Sequence, residues 1–481
     1  MTETPTPRSL RRHQAITLSL LFLAGVVNFL DRTSLSIANT TVRAEMHLSA
    51  TQMGWLLSAF SLAYGVAQLP LIGLLERAGT RAVLGGGLIL WSAAQMLTGL
   101  VRTFPAFIFL RVLLGAGEAP FYPSGIRSTR EWFSSATRAR ATAIMSSSQT
   151  IGLAIAPPVL TWIMLDLGWR AMFVVLGAAG LLVAILWIAL HRARSQTPFA
   201  EPAPPPGEVA HPGAPCSTQL HRVEHGVTPY PIPPIQPPVI LSSAQPKDPP
   251  APRPATTAHT MQPPSPQPPP QTASTLRTLL RQRTVWGMML GWGGINYTVW
   301  LYLSWLPAYL QDQRHLSLAR TGLVAAIPFL AGAVGMISSG ILSDRLARLG
   351  LPLTTIHRRN IVAGMIVSAA ATFFVAHSHT TAQAVAGISA AIFCIHFAGT
   401  SGWGYVQAVS PLRYVASLGA LQNFASFLIA SAAPVLTGWL LDRTHSFSLA
   451  LAVCSAVALL GALSYATLAA PTHMHLDRQS A

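Results

Sequence analysis

Apolar residues in this chain come in long, nearly unbroken runs rather than in the alternations of amphipathic helices or half-buried strands. A helix of about 20 apolar residues crosses the hydrocarbon core of a bilayer. Twelve such runs occur, at 15–40, 52–74, 82–101, 104–127, 140–163, 169–190, 285–310, 319–342, 360–377, 382–408, 414–440 and 447–470. Some hold proline in their interior, as at Pro157-Pro158 and Pro434. Membrane helices tolerate this because neighbouring helices satisfy the freed backbone groups. The pattern predicts an all-α polytopic membrane protein with twelve transmembrane helices.

The stretch between the sixth and seventh runs has a different character. It carries 24 of the 38 prolines, all between Pro198 and Pro270, among Ser, Thr, Gln and Ala. Such a composition cannot build a core and favours extended chain. The expected organisation is a six-helix half at 1–191, a Pro-rich disordered cytoplasmic linker at 192–283, and a second six-helix half at 284–481. The halves echo one another. The second run ends in Glu76-Arg77-Ala78-Gly79-Thr80-Arg81, and the eighth in Gly340 to Asp344-Arg345, with Arg358-Arg359 after a short loop. Repeated halves place a substrate site near the bilayer midplane, at their interface. Glu76, Arg77, Arg81, Asp344 and Arg345 are expected to form a cytoplasmic gate, whose carboxylate–guanidinium pairs hold that side closed and break as the halves rock.

Composition agrees with this reading and narrows it. The chain is 51% hydrophobic and 10% charged, against about 25% charged in soluble domains, so most of its surface must face lipid. Its net charge of +16 is a topological signal. With both termini in the cytoplasm, 23 Lys and Arg fall on the cytoplasmic side, 6 on the opposite side and 2 inside helices. That is the positive-inside asymmetry. Nucleic acid is excluded as a partner, because no basic stretch is interleaved with stacking aromatics. The only lysine, Lys247, lies in the Pro-rich stretch, which excludes a P-loop and an ATP-driven pump. Cys216, Cys394 and Cys454 are scattered and supply neither a disulfide framework nor metal-ligand spacing. The N-terminal apolar run lacks a short h-region with a cleavage site, so it is expected to be retained as a helix.

Of the 15 Asp and Glu residues, all but two fall in loops, tails or helix ends; the two are Asp31 and Glu118. The two intramembrane arginines, Arg32 and Arg111, lie on the same two helices. Each such charge costs a few kcal/mol unless paired or hydrated, and by default marks an ion or substrate pathway. Arg111 and Glu118 are close to two turns apart and share a helix face, whereas Asp31 and Arg32 diverge by about 100°. A salt-bridge cluster that only fixes packing is the bland alternative, and buried ion pairs often do no better than apolar packing. Arg presents a planar fork that matches a carboxylate. A carboxylate in a low-dielectric cavity can take up a proton near neutral pH. The expected chemistry is that protonation of Asp31 and Glu118 frees the arginines to bind an anion, with the proton as coupling ion and no metal or other cofactor.

The loop after the second run is similar to the cytoplasmic signature of the major facilitator superfamily, with Glu76 where Asp is usual and Ile72 where Gly is usual. Within that superfamily, Asn28-Phe29-Leu30-Asp31-Arg32 resembles the Asn-Tyr-x-Asp-Arg run of the anion:cation symporter family. The likeness continues through Arg111, Gly115 and Glu118-Ala119-Pro120, Glu131-Trp132-Phe133, and Arg138-x-Arg140-Ala141. It resumes at Trp305-Leu306-Pro307-x-Tyr309-Leu310 and at Gln422-Asn423-Phe424 with Pro434. It covers the chain apart from the Pro-rich insert. The resemblance implies proton coupling through Asp31 and Glu118 and carboxylate binding by Arg32 with Arg111 as partner. Tyr64, Gln149, Thr400 and Asn423 are the polar residues at matching positions, suited to substrate hydroxyls or, alternatively, to interhelical bonding. Phe29 removes one hydroxyl that many members have.

The expected function is a proton-coupled symporter in the bacterial inner membrane. It would import, by alternating access, an aldonate, aldarate, hexuronate or other carboxylate, as a monomer whose partners are the bilayer and a small organic anion. A proton antiporter exporting a metabolite or drug is the alternative on the same fold; two intramembrane arginines favour anion uptake. No nucleophile–base constellation supports an enzyme. His396 reads as a hydrogen-bonded packing residue, and His377 and His379 as solvated.

Overall fold

The structure, a computed structural model, describes residues 7–191 and 277–469. The Pro-rich linker expected at 192–283 lies, up to residue 276, outside the described residues.

All twelve apolar runs fall on helix. The elements of the first half are α1 (Pro7–Ile37), the short α2 (Asn39–Glu45), α3 (Ala50–Thr98), α4 (Phe104–Glu118), α5 (Phe121–Trp132) and α6 (Ser135–Leu190). Those of the second are α7 (Arg283–Ala308), a π-helical turn (Tyr309–Gln313), α8 (Leu318–Arg348), α9 (Leu353–Ala376), α10 (Thr381–Val409), α11 (Leu412–Thr444) and α12 (Ser448–Thr467). Helices α3 and α6 are each two rods. They break at Gly79 and Gly168, whose φ values of +73° and +80° belong to a region that Cβ-bearing residues avoid. Conversely, α4 and α5 form one span interrupted at Pro120. Proline there has no N–H to return to the preceding turn, and its ring crowds the carbonyl four residues back. Among the described residues eight helices are long and apolar enough to cross a membrane, and the bent arms of α3 form a further candidate. The outer faces carry exposed Trp162, Leu182, Ile185, Leu323, Ile337 and Leu460. In a soluble protein so much exposed apolar surface would aggregate, whereas lipid is its natural solvent.

Within the first half α1 packs along α6 and α3 along α4; within the second, α9 packs along α10 and α12. The halves meet through α3 with α11, α6 with α8, and α1 with α7, the exchange expected of two repeats around a pseudo-twofold axis. The start of α1 and the end of α12 lie on one side of the bundle, here the terminal side. There the repeats show matching detail. Arg81, opening the second rod of α3, donates through Nε to the Ile188 carbonyl at the end of α6 at 3.1 Å. Arg358, early in α9, donates to the Tyr465 carbonyl near the end of α12 at 3.0 Å, and also to that of Ala466. In each half a guanidinium thus satisfies carbonyls at a helix C-terminus, where the helix dipole favours a cation.

The two halves are bolted together on the opposite, far side. Asp442 near the end of α11 accepts from the backbone N–H groups of Ala50 and Thr51 at 2.9 and 2.8 Å, and from the Thr51 hydroxyl at 2.6 Å. A carboxylate therefore sits on the first N–H groups of α3, which no helical carbonyl can reach. Arg43 pairs with Asp312 at 3.3 Å and Thr40 donates to Gln311 at 2.8 Å. Ser36 donates to the Ser304 carbonyl at 2.9 Å and Ser58 to the Ser431 carbonyl at 2.5 Å. Backbones approach closely here. A Cβ at Gly438 would lie 2.2 Å from the Ala50 carbonyl oxygen, and one at Gly54 2.5 Å from that of Pro434. Small residues permit this approach, which maximises dispersion contact in the absence of a hydrophobic drive between helices.

Candidate functional site

The four intramembrane charges come together between α1 and α4, whose side chains reach each other across the bundle. Arg32 donates through Nε to Glu118 Oε2 at 2.8 Å. Glu118 is fully buried, while the Arg32 side chain keeps 10% of its surface exposed. Glu118 holds this position because α4 ends there, immediately before the Pro120 break. The Arg32 guanidinium carbon also lies 4.7 Å from the ring centre of Tyr64, 5.0 Å from that of Phe29 and 5.3 Å from that of Phe60. Aromatic faces attract a cation and shield its flanks from other anions. Only an approach between the rings leaves the fork open.

The other pair is differently placed. Asp31 is fully buried and, among the described residues, neither of its carboxylate oxygens has a hydrogen-bond partner. Arg111 is 2% exposed. Its Nε and one terminal nitrogen are buried without a partner, and its guanidinium lies between Phe107 and Phe173, 5.6 and 5.5 Å from their ring centres. Asp31, Arg111 and Glu118 interact electrostatically without touching. The shared face of Arg111 and Glu118 therefore does not produce a direct bond; Glu118 turns to Arg32 on α1. Two acids and two bases balance formally. Yet among the described residues both acids and one base keep buried atoms without a hydrogen-bond partner, Glu118 at Oε1, Asp31 at both oxygens and Arg111 at two nitrogens, which is costly in an apolar interior. The cluster can lower its energy by gaining a proton on an acid or by giving a base a new anion.

Sequence reasoning missed several neighbours. Ser34 donates to the Asp31 backbone carbonyl at 2.7 Å and accepts from Gln95 Nε2 at 3.0 Å, so α3 holds the α1 turn that carries Asp31. Phe60 lies one turn from Tyr64 and supplies part of the aromatic wall. Gln68 accepts from Asn423 Nδ2 at 3.0 Å across the interface between halves. Only intramembrane polarity marked Gln68 and Gln95 in the sequence, and each alone reads as packing.

The remaining expected site residues are distributed less tightly. Tyr64 is buried, and its ring lies 4.8 Å from that of Phe427 of the other half. Asn423 is at the inter-half seam. Gln149 is half-buried on α6. Thr400 bonds back to the His396 carbonyl on its own helix at 3.1 Å, and no hydrogen bond among the described residues joins it to the charged cluster. His396 binds the Ile392 carbonyl through Nδ1 at 2.9 Å, as a packing histidine does.

At the terminal side Glu76, Arg77, Arg81, Asp344 and Arg345 are exposed, and among the described residues none of them forms an ion pair. The expected gate bonds are open in this conformation. The ion pair found there is Arg127 with Glu131, 2.9 Å apart within α5, with Arg127 also donating to the Leu75 carbonyl at 2.6 Å. It closes a loop of one half and does not cross to the other.

Residues 21–434 match the family model described as Major Facilitator Superfamily. The chain is 42% identical over 456 residues to the "Probable L-galactonate transporter" of Escherichia coli strain K12, covering 95% of this chain and 89% of that relative. It is 30% identical to the "Probable galactarate/D-glucarate transporter GarP" of the same strain, over 94% of this chain and 93% of the relative. It is 26% identical to the "Hexuronate transporter" of Bacillus subtilis strain 168, over 92% of each. Among solved structures it resembles the bacterial homologue of the human lysosomal transporter Spinster in its inward-facing, unoccupied conformation. The TM-score is 0.69 at 16% identity, over 97% of both chains. The fold, the paired halves and these relatives agree: this chain is a multi-pass membrane transporter, not an enzyme, and it belongs to the major facilitator superfamily.

Proposed function

We propose that this protein imports an organic anion of the sugar-acid class together with protons, by alternating access, across the bacterial inner membrane with both termini in the cytoplasm. The observation that carries the reading is the Arg32–Glu118 bond of 2.8 Å beside an Asp31 carboxylate with no hydrogen-bond partner among the described residues. The relatives named for L-galactonate, galactarate, D-glucarate and hexuronate support the substrate class.

In this reading Glu118 occupies the position on Arg32 that the substrate carboxylate takes. A proton on Glu118 turns it from a charged into a neutral acceptor, and the charge-assisted bond to Arg32 loses about half its strength. The Arg32 fork then accepts a substrate carboxylate. One proton and one carboxylate enter together, so the formal charge of the cluster does not change, which limits the cost of holding charge at the membrane centre. Asp31 provides a second protonation site beside Arg111. The neutral groups near the seam, Gln68 and Asn423, suit substrate hydroxyls.

Far-side bonds that join the halves, together with the unpaired Glu76, Arg77, Arg81, Asp344 and Arg345 on the terminal side, support the reading of a conformation open toward the termini. With cytoplasmic termini this is the inward-open, releasing state. The basic loops of the terminal side support that orientation.

The test is accumulation of labelled galactonate in proteoliposomes under an inward proton gradient, with internal pH followed in parallel. The Asp31→Asn, Glu118→Gln double variant should lose gradient-driven accumulation and substrate-dependent proton entry. Accumulation and proton entry equal to wild type in that variant would refute the coupling role.

A further inference from the structure

The charge at the site's accessible end is unequal to the charge at its core. Of the two intramembrane arginines, Arg111 is 2% exposed and lies between Phe107 and Phe173. Arg32 keeps measurable exposure, at 10% of its side chain. A ligand arriving from the seam between the halves therefore meets one guanidinium. Asp31 and Glu118, both fully buried, stand behind it and offer no further positive charge.

The wall opposite Arg32 is neutral over its whole described extent. The Tyr64 ring that touches the Arg32 guanidinium faces Phe427 at 4.8 Å, and Phe60 faces Trp300 at 5.8 Å. One turn along α3 from Tyr64, Gln68 accepts from Asn423 at 3.0 Å. Ser426 donates to the Asn423 carbonyl at 2.7 Å and accepts from Asn296 Nδ2 at 2.9 Å. This continuous strip of amides and hydroxyls crosses from α3 over α11 to α7 and contains no cation. His396, the titratable group at comparable depth in the second half, packs on Gly332 and binds the Ile392 carbonyl within its own half.

We infer that the substrate carries one carboxylate, held by Arg32, and an uncharged hydroxylated far end on the amides of Gln68, Asn423 and Asn296, which the buried Ser426 ties together: an aldonate-type monoacid and not an aldarate-type diacid. The inference rests on the proposed binding of an organic anion at Arg32. It goes further by excluding half of that substrate class on charge alone. A second carboxylate would leave water for a place with hydrogen-bond donors but no countercharge. Desolvating an unpaired carboxylate is far costlier than desolvating the hydroxyl it replaces. The partly exposed amides of the strip, in contrast, provide neutral donors and acceptors matched to a primary alcohol.

Matched ligand pairs isolate that one group. D-gluconate and D-glucarate differ only at carbon 6, a primary alcohol in one and a carboxylate in the other, as do galactonate and galactarate. Equilibrium binding of each pair to the purified full-length protein is measured by calorimetry in detergent, at one pH and ionic strength, alongside Arg32→Gln. Because the comparison is between ligands on the unaltered protein, it does not depend on a variant folding. The expected result is that one monoacid or both bind and that the matched diacid binds at least about tenfold more weakly, the scale on which a buried site rejects a mismatched polar group. Diacid binding equal to or tighter than the monoacid, and lost in Arg32→Gln, would overturn the single-carboxylate inference while leaving anion binding at Arg32 standing. Binding of none of the four acids would overturn both.

Discussion

Asp442 offers the most direct handle on the conformational equilibrium. Its carboxylate receives two backbone N–H groups and one hydroxyl from the start of α3, at 2.9, 2.8 and 2.6 Å, and it is the densest polar link between the halves. Hydrogen bonds to a charged group contribute about 1.5–3 kcal/mol each, and a carboxylate at a helix N-terminus gains up to about 2 kcal/mol. Opening the far side does not forfeit the whole of this, because water replaces the lost partners on both surfaces. A net bias of about 2–4 kcal/mol toward the closed far side is the reasonable remainder, or roughly 30- to 700-fold in population. Asp442→Ala should remove that bias. Asp442→Asn should remove about half, since the amide oxygen still accepts but carries no charge. Spin labels on cysteines at Ala44 and Ala319, both exposed on the far side in opposite halves, would read the separation by pulsed dipolar spectroscopy in a variant lacking the native cysteines. The expected outcome is a second, longer-distance population that grows in the order wild type, Asp442→Asn, Asp442→Ala. An unchanged distance distribution in Asp442→Ala, with the protein folded, would refute the latch.

Gly438 lies on the same seam and works by sterics instead of charge. With its Cβ position 2.2 Å from the Ala50 carbonyl oxygen, Gly438→Val should lengthen the same spin-label distance; a distribution like that of wild type would show that the backbones can separate at no cost. Arg32→Lys keeps the charge but loses the planar fork, and calorimetry should show sugar-acid binding weaker by about 2 kcal/mol or more. Equal binding would mean that charge alone suffices. Glu45 receives the Trp169 indole N–H and, at 2.8 Å, Arg170, and the indole bond foremost, with Arg170 adding to it, holds its carboxyl below the ordinary value of 4.5 against the opposing effect of burial. The stabilisation is complete above that value and is lost as the pH falls through the lowered one. Thermal unfolding should therefore show Glu45→Gln less stable than wild type at pH 7, with the gap closing in more acid buffer; a gap that persists there would point to packing.

Much of this protein is determined by the sequence alone. A bilayer sets a fixed length for an apolar helix, so the twelve runs could be counted directly and all proved helical. Lipid also makes intramembrane charge so costly that Asp31, Arg32, Arg111 and Glu118 stand out with no structure in hand. The interruptions were not legible in advance: the run at 104–127 breaks at Pro120, which lacks an N–H, and the kink at Gly79, with φ of +73°, emerged only in the structure. Tertiary structure alone decided who pairs with whom. Helical spacing put Arg111 and Glu118 on one face, yet Glu118 binds Arg32, because the distance between α1 and α4 is set by packing and not by sequence separation. The same holds for Asp442, which reads as an ordinary helix-end acid until α11 is laid against α3, 391 residues away in sequence from the Thr51 it binds. That Glu76, Arg77, Arg81, Asp344 and Arg345 form no ion pair among the described residues could not be read from the chain at all. Sequence names the groups able to form such pairs, but whether they do so depends on which of the alternating arrangements of the two halves is populated, and both arrangements belong to the same sequence.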